Sequence, residues 1–172
     1  MEFYEVIKKR RSVRKYKSDP IPDEVLKRIL EAGRIAPSAK NIQPWKFVVI
    51  KDSETKKRIA EACRGQHWMA DADVIICGCA LEKIAWGRMG GYMSSFAVDL
   101  AIAMDHIILA ATNEGLGTCW IGAFEEKKVK EILGIPDDVR VVALTPIGYP
   151  AEEPKDRGRK EFHEVVAYER YQ

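Results

Sequence analysis

The stretch SSFAVDLAIAMDHIILAATNEGLG, residues 94–117, constrains this chain more than any other. It reads as one long helix, apolar on nearly every side, interrupted by Asp99, Asp105 and His106 and stopped at Gly115 or Gly117. Such a helix has to be covered all round. At 172 residues the chain is the size of one ordinary domain, too small to bury that helix alone. The expectation is a subunit interface along it, with Asp99, Asp105 and His106 as satisfied polar contacts between subunits rather than proton relays.

The rest of the chain alternates shorter elements. Phe3, Val6 and Ile7 share one side of a first helix that runs into Lys8, Lys9, Arg10 and Arg11. In PDEVLKRILEAG, Pro22 and Asp23 start a second helix with Val25, Leu26, Ile29 and Leu30 as its buried stripe, ended by Gly33 or Pro37. WKFVVI is a strand, Ser53 caps a helix through ETKKRIAEAC, and DVIICGCA is a second strand, apolar enough to be covered on both faces. Residues 82–93, with Gly87, Gly90, Gly91, Trp86 and Tyr92, read as a glycine-rich segment serving as a lid or as a plain surface loop. TCWIGAF, a short helix EEKKVKEILG, the strand RVVALTPIG and a polar tail follow. Without strict βαβ alternation, repeat or linker, this is one α+β domain spanning 1–172.

Twenty-eight basic against 26 acidic residues leave a net charge of only +2, without the global field of a nucleic-acid binder. Cys63, Cys77, Cys79 and Cys119 contain no CxxC pair, and Cys77 and Cys79 share one strand face, so buried thiols in a reducing cytoplasm are expected. Three scattered histidines give no metal-ligand spacing. The opening MEFYEVIKKRRSVRKY lacks the apolar run of a signal peptide, and no stretch reaches the roughly 20 uncharged apolar residues of a membrane span.

Positive charge is local. Arg10, Arg11 and Arg14 surround Ser12 where the first helix stops, a forked donor set with a hydroxyl that suits a phosphate. Arg157 and Arg159 alternate around Gly158 in the tail and, if extended, face the same way. There is no GxGxxG after a strand, no P-loop, no GxSxG, and no cysteine with an evident base partner. Phosphate binders without a reacting side chain point to chemistry supplied by a cofactor. The loop in APSAKNIQPWKFVVI, 36–50, breaks a helix with Pro37 and stiffens its exit with Pro44, and such placed loops serve ligands or partners.

RRSVRKY, APSAKNIQPWKFVVI, GLGTCWIGAF and PIGYPAEEPKDRGRK resemble, in order and spacing, the FMN-dependent nitroreductase family over almost the whole chain. The resemblance implies a three-layer α-β-α fold with a mixed, mostly antiparallel central sheet and an intertwined homodimer holding two FMN molecules at its interface. On the family pattern Arg10 and Ser12 serve the phosphate end and Arg14 lies toward N1 and O2 of the ring. Arg11 falls inside the motif, its side chain free to face the phosphate or away, and Arg157 and Arg159 match a basic pair on the phosphate. Pro37, Ser38, Ala39 and Asn41 reach the flavin held by the other subunit, positioned by Gln43, Pro44 and Trp45. Trp120, Ile121, Gly122 and Ala123 match the segment over the ring, with a backbone N–H near N5, and Gly65 and Gln66 match a glycine-amide pair at the pyrimidine edge. Met69 stands where some members carry lysine, Glu161 where many carry proline, and the longer insertion of larger members is absent. The implied activity is ping-pong hydride transfer from NADH or NADPH to nitroaromatics, quinones or other flat small-molecule acceptors, with no catalytic side chain beyond the tuning by Arg14 and the Gly122 backbone. Trp68, Trp86, Tyr92 and Phe124 are candidates to stack on the acceptor. The alternatives are another flavin reaction on the same fold, dehalogenation or dehydrogenation, or a flavin-binding storage or sensor protein.

Overall fold

The computed structural model describes residues 1–171, so the last residue of the expected 1–172 domain lies outside the described residues. Its centre is the strand β2, Val74–Ala80, in which every residue is buried. Alternate residues of a strand point to opposite faces, and β2 uses both. Ile75, Cys77 and Cys79 join one apolar core, while Val74, Ile76 and Ala80 join a second on the other side. β1, Trp45–Ile50, pairs antiparallel with β2, and β4, Arg140–Gly148, pairs antiparallel on the opposite edge. β3, Gly117–Thr118, completes the order β1-β2-β4-β3. The parallel contribution is a single bridge from Ser12 to Thr118.

Helices cover both faces, which makes the three layers. On one side α3, Ser53–Ala62, and α5, Glu126–Leu133, close over Ile59, Cys63, Met69, Val129 and Leu144. On the other, α2, Asp23–Arg34, and α4, Phe96–Asn113, enclose Leu26, Ile29, Leu100, Met104 and Ile107. Two glycines permit the close approach of α4. A Cβ on Gly33 would sit 2.7 Å from Ile107 Cδ1, and one on Gly78 would sit 3.0 Å from Met104 Sδ. Gly33 therefore lies inside α2 as a packing residue and does not end it. The cap of α3 also differs from expectation: the Asp52 carboxylate accepts from the Thr55 N–H at 2.8 Å, which places the cap one residue before Ser53.

α4 is long and apolar enough to cross a membrane by length and composition, yet Leu100, Ala103, Met104, Ile107, Ile108 and Ala111 pack inside this fold. Val98, Ile102, Asp105 and Leu109, spaced along another stripe, stay at least partly exposed. Beside that stripe α1, Phe3–Lys9, buries only Val6 and leaves Phe3 63% exposed, with Ile35 at the end of α2 equally open. Phe3, Val6, Ile35, Asp105 and Leu109 border a cavity of about 720 Å³. Its apolar rim is the surface that the all-round hydrophobicity of α4 leads one to look for.

The two ends of the chain are stitched together at the sheet edge. The Val13 N–H donates to Thr118 O at 2.9 Å, Lys17 N–H to Tyr149 O at 2.8 Å, and Ala151 N–H to Lys15 O at 3.0 Å. Gly117 faces Val13 so closely that a Cβ there would lie 2.7–2.9 Å from three Val13 side-chain carbons, one of them Cβ. α5 is anchored by one carboxylate: Glu126 accepts from the Val141 N–H at 2.9 Å and from Arg140 Nε at 3.0 Å. Burial alone would push the pKa of Glu126 up, but these donors outweigh it and hold the group below the ordinary carboxylate value.

Gly117→Ala is expected to cost about 1–3 kcal/mol through overpacking against Val13, read as a lowered denaturant midpoint at fixed protein concentration. Because the folded-state pKa of Glu126 is depressed, its contribution is present above the unfolded value and lost as pH falls through the folded one. Glu126→Gln should therefore be less stable than wild type at pH 7, and the gap should close below about pH 4, measured by unfolding at a series of pH values.

Candidate functional site

The segment 10–16 leaves α1 at Arg10 and runs along the sheet edge, where the bridges to Thr118 and Pro150 fix its register. Alternation then sends Val13 inward and Ser12 and Arg14 to the other side. Val13 is buried, Ser12 is partly exposed and Arg14 is exposed. The Arg14 guanidinium stands 5.9 Å from the centre of the Trp68 ring, and Trp68 stacks in turn on buried Tyr16 at 6.5 Å. The Tyr16 hydroxyl donates to Val13 O at 2.8 Å, and burial pushes its ionisation far above the ordinary phenol value. Trp68 is thus a wall that supports Arg14, and Phe124 packs on the core under α5. Both are partly buried.

Ser12 and Arg14 line a cavity of about 300 Å³ together with Lys155 and Arg157 from the tail, with Glu152 and Glu153 also on its wall and Glu152 neutralised by Lys15 at 2.9 Å. Ser12, Arg14 and Arg157 of the expected set thus meet within one chain, whereas Arg10 lines the apolar cavity beside α1 and Arg159 is not on the wall of the basic one. Arg10, Arg14, Arg157 and Arg159 have no carboxylate within 4 Å among the described residues. Arg11 is different: it pairs with Asp156 at 2.7 Å. The Gly158 N–H and then Arg11 hold the Asp156 carboxyl below its ordinary value. Cys119 lies close by, and burial pushes its thiol up against the opposing influence of Arg14, Ser12 and Arg10.

The strip after β3 forms a shelf. Ile121 is buried and exchanges backbone hydrogen bonds with Leu144 at 2.9 and 3.0 Å, so its side chain and both its main-chain polar groups are committed to the fold. Trp120, Gly122 and Ala123 are exposed around it. Gln66 reaches this shelf: its amide donates to Cys63 O at 2.9 Å and lies 3.5 Å from Ala123 O. The turn that delivers it needs left-handed backbone at Arg64 and Gly65 in succession. Met69, at the position noted for lysine in relatives, is fully buried in the core.

The loop 37–43 shares no residue with the lining of the Ser12–Arg14–Arg157 cavity. Lys40, Asn41 and Gln43 all take positive φ, at 51°, 55° and 54°, a region costly for side-chain-bearing residues. Hydrogen bonds to Ser38 and Asp99 help to hold it there. The Ser38 hydroxyl accepts from Gln43 N–H at 2.8 Å, and Ser38 O accepts from Asn41 N–H at 2.9 Å. Buried Asp99 accepts the Ala39 N–H at 2.9 Å and the Ser95 hydroxyl at 2.6 Å. Asp99 is a residue that the reading of α4 as an interface misplaced: its contacts lie within the subunit, in the first turn of α4, where a negative charge also suits the helix dipole. His106 likewise bonds inside the chain, to Ala32 O at 3.3 Å. Residues 82–93 close on themselves through Met89 and Met93, and Lys40 Nζ sits 5.9 Å from the Trp86 ring centre.

The arrangement offers an anion cradle, a flat exposed backbone shelf with an amide beside it, and a separate rigid polar loop. Comparison with known proteins follows the same lines. The profile described as Nitroreductase family matches residues 7–73 and 63–149. The chain belongs to the nitroreductase family. A solved nitroreductase family protein of Clostridium novyi NT is 43% identical, with a TM-score of 0.80 over 91% of this chain and 89% of that one. FMN reductase [NAD(P)H] of Bacillus subtilis is 33% identical, covering 94% of this chain and 71% of that protein. An NADH dehydrogenase of Thermus thermophilus is 32% identical, covering 93% and 92%. The nitroreductase fold is thus shared over nearly the whole length.

Asp99→Ala would leave the Ala39 N–H and the Ser95 hydroxyl without a partner and is expected to cost about 2–3 kcal/mol. Amide hydrogen exchange at residues 39–43 should quicken more than elsewhere, and Asp99→Asn, which keeps one acceptor, should show a smaller effect.

Proposed function

We propose that this nitroreductase-family protein is an FMN-dependent NAD(P)H oxidoreductase acting as a homodimer on flat small-molecule acceptors such as nitroaromatics and quinones. The observation that carries the reading is the meeting of Ser12 and Arg14 with Arg157 in one cavity. That donor set fits a phosphate: guanidinium forks and a hydroxyl, their cations without carboxylate partners among the described residues. Relatives named as FMN reductase [NAD(P)H] and NADH dehydrogenase support the cofactor and the donor. Bound FMN would supply reversible storage of two electrons, so that a nicotinamide donor and an oxidised acceptor react in turn.

Each residue group then has a part. Arg10, Ser12, Arg157 and Arg159 would hold the phosphate, and Arg14 would place a permanent positive charge where negative charge gathers on reduction. Trp68 restrains Arg14 from behind, which keeps that charge in one position. The exposed shelf of Trp120, Gly122 and Ala123 would offer main-chain donors to the ring, with Gln66 at its edge. Pro37, Ser38, Ala39 and Asn41 would complete the pocket of the partner subunit, which accounts for a loop held in place by hydrogen bonds yet absent from the wall of its own chain's cavity. The exposed stripe of Val98, Ile102 and Leu109, with Phe3 and Ile35, is the face along which two copies would meet. Trp86, beside Lys40 of the 37–43 loop, and the exposed Tyr92 remain as aromatic side chains for contact with an acceptor.

The purified protein is expected to be yellow with the spectrum of bound FMN, to bleach on anaerobic addition of NADH or NADPH, and to recover colour with a quinone or nitroaromatic. A colourless protein that refuses added FMN and runs as a single folded subunit would overturn the reading. Bound flavin that no nicotinamide bleaches would point instead to storage or sensing.

A further inference from the structure

Arg10 and Arg11 of the first basic cluster both lie outside the cavity that Ser12 and Arg14 line with Arg157. Arg11 folds its guanidinium back on the end of α1, where Nη1 donates to the carbonyls of Lys8 and of Arg10, the latter at 2.9 Å. Its Nη2 donates across to Asp156 Oδ2 at 2.7 Å. The other oxygen of Asp156 is also engaged, accepting from the Gly158 N–H at 2.9 Å. That closes a tight turn in which Gly158 takes a φ of +71°, open to glycine at little cost. Arg157 is the residue inside this turn, and it is the tail arginine that lines the cavity with Ser12 and Arg14.

Beyond Glu152, which pairs with Lys15, the Arg11–Asp156 contact is the one hydrogen bond tying the tail to the body among the described residues. The tail bonds that follow run within residues 156–170 themselves. Without that tie Arg157 would sit on an exposed segment with no fixed origin, and each binding event would have to order it anew. We propose that Arg11 is a positioning residue, a latch that acts through Asp156 to hold Arg157 against the phosphate of FMN; the proposal rests on the cofactor reading above and deepens it. The sign of the Asp156 contribution makes the idea testable. A carboxylate beside a phosphate site repels the ligand, so on charge alone its removal should tighten FMN binding. As a latch, its removal should loosen it.

The experiment follows FMN release from purified holoprotein on dilution, read as the rise of free-flavin fluorescence, with thermal midpoints of all variants measured alongside. Arg11→Gln and Asp156→Asn are each expected to release FMN roughly fivefold faster, the upper end for one exposed ion pair. The double variant should be no faster than either single one, since both remove the same contact. In an Arg157→Ala background, Asp156→Asn should add nothing. Release from Asp156→Asn at the wild-type rate or slower would overturn the latch, and so would the same acceleration with and without Arg157. Asp156 is exposed, so this variant tests the latch without disturbing the core even if Arg11→Gln loses stability. A wild-type protein that takes up no FMN at all defeats the cofactor reading, and the latch with it, before any variant is compared.

Discussion

Everything at the site depends on the edge of the sheet where the two ends of the chain are joined by backbone hydrogen bonds. Segment 12–17 bonds to Thr118 on one side and to Tyr149 and Ala151 on the other. A basic run near the start of the sequence and another near its end are separated by more than a hundred residues, and loop closure over such a span costs entropy. The strand ladder meets that cost once, in the fold, so the cations need not be gathered each time a ligand arrives. Gly117 is the steric condition for it, since Val13 occupies the space any larger residue would need.

The second organising feature is the two-sided sheet. Because β2 is buried on both faces, each of its residues commits to one of two cores, and the helices that cover them must be apolar on at least one full face. α4 goes further, with buried residues against α2 and the sheet and a partly exposed apolar stripe besides. The polar residues on α4 show how such a helix serves a site: Asp99 anchors a loop sixty positions earlier in sequence, and His106 bonds the end of α2.

Much of this was legible in the order of residues. The strand Trp45–Ile50 coincides with the apolar run WKFVVI, and Cys77 and Cys79 do share a face, with Sγ atoms 3.9 Å apart. The meeting of Ser12, Arg14 and Arg157 followed from their types and from the family pattern. What was not legible depended on distant partners or close packing. Gly33 looks like a helix end until Ile107 is placed against it. Asp99 looks like an interface group until the Ala39 N–H is seen to need an acceptor. Arg11 looks like its neighbours until Asp156 claims it, although an Asp two positions before a glycine is a signal for a side-chain-closed turn. The short helical turns at Ala39–Asn41 and His67–Asp71 are too brief to leave any periodicity.

The left-handed backbone at Lys40, Asn41 and Gln43 has a consequence for how this protein can change. Roughly 1–2 kcal/mol of strain at each such residue works like a wound spring, held in part by Ser38 and Asp99. Glycine at 40 or 43 would relax the spring and ease folding, yet would also slacken the one segment whose stiffness has a use. Evolution toward a sturdier molecule and toward a sharper pocket therefore pull in opposite directions at these positions.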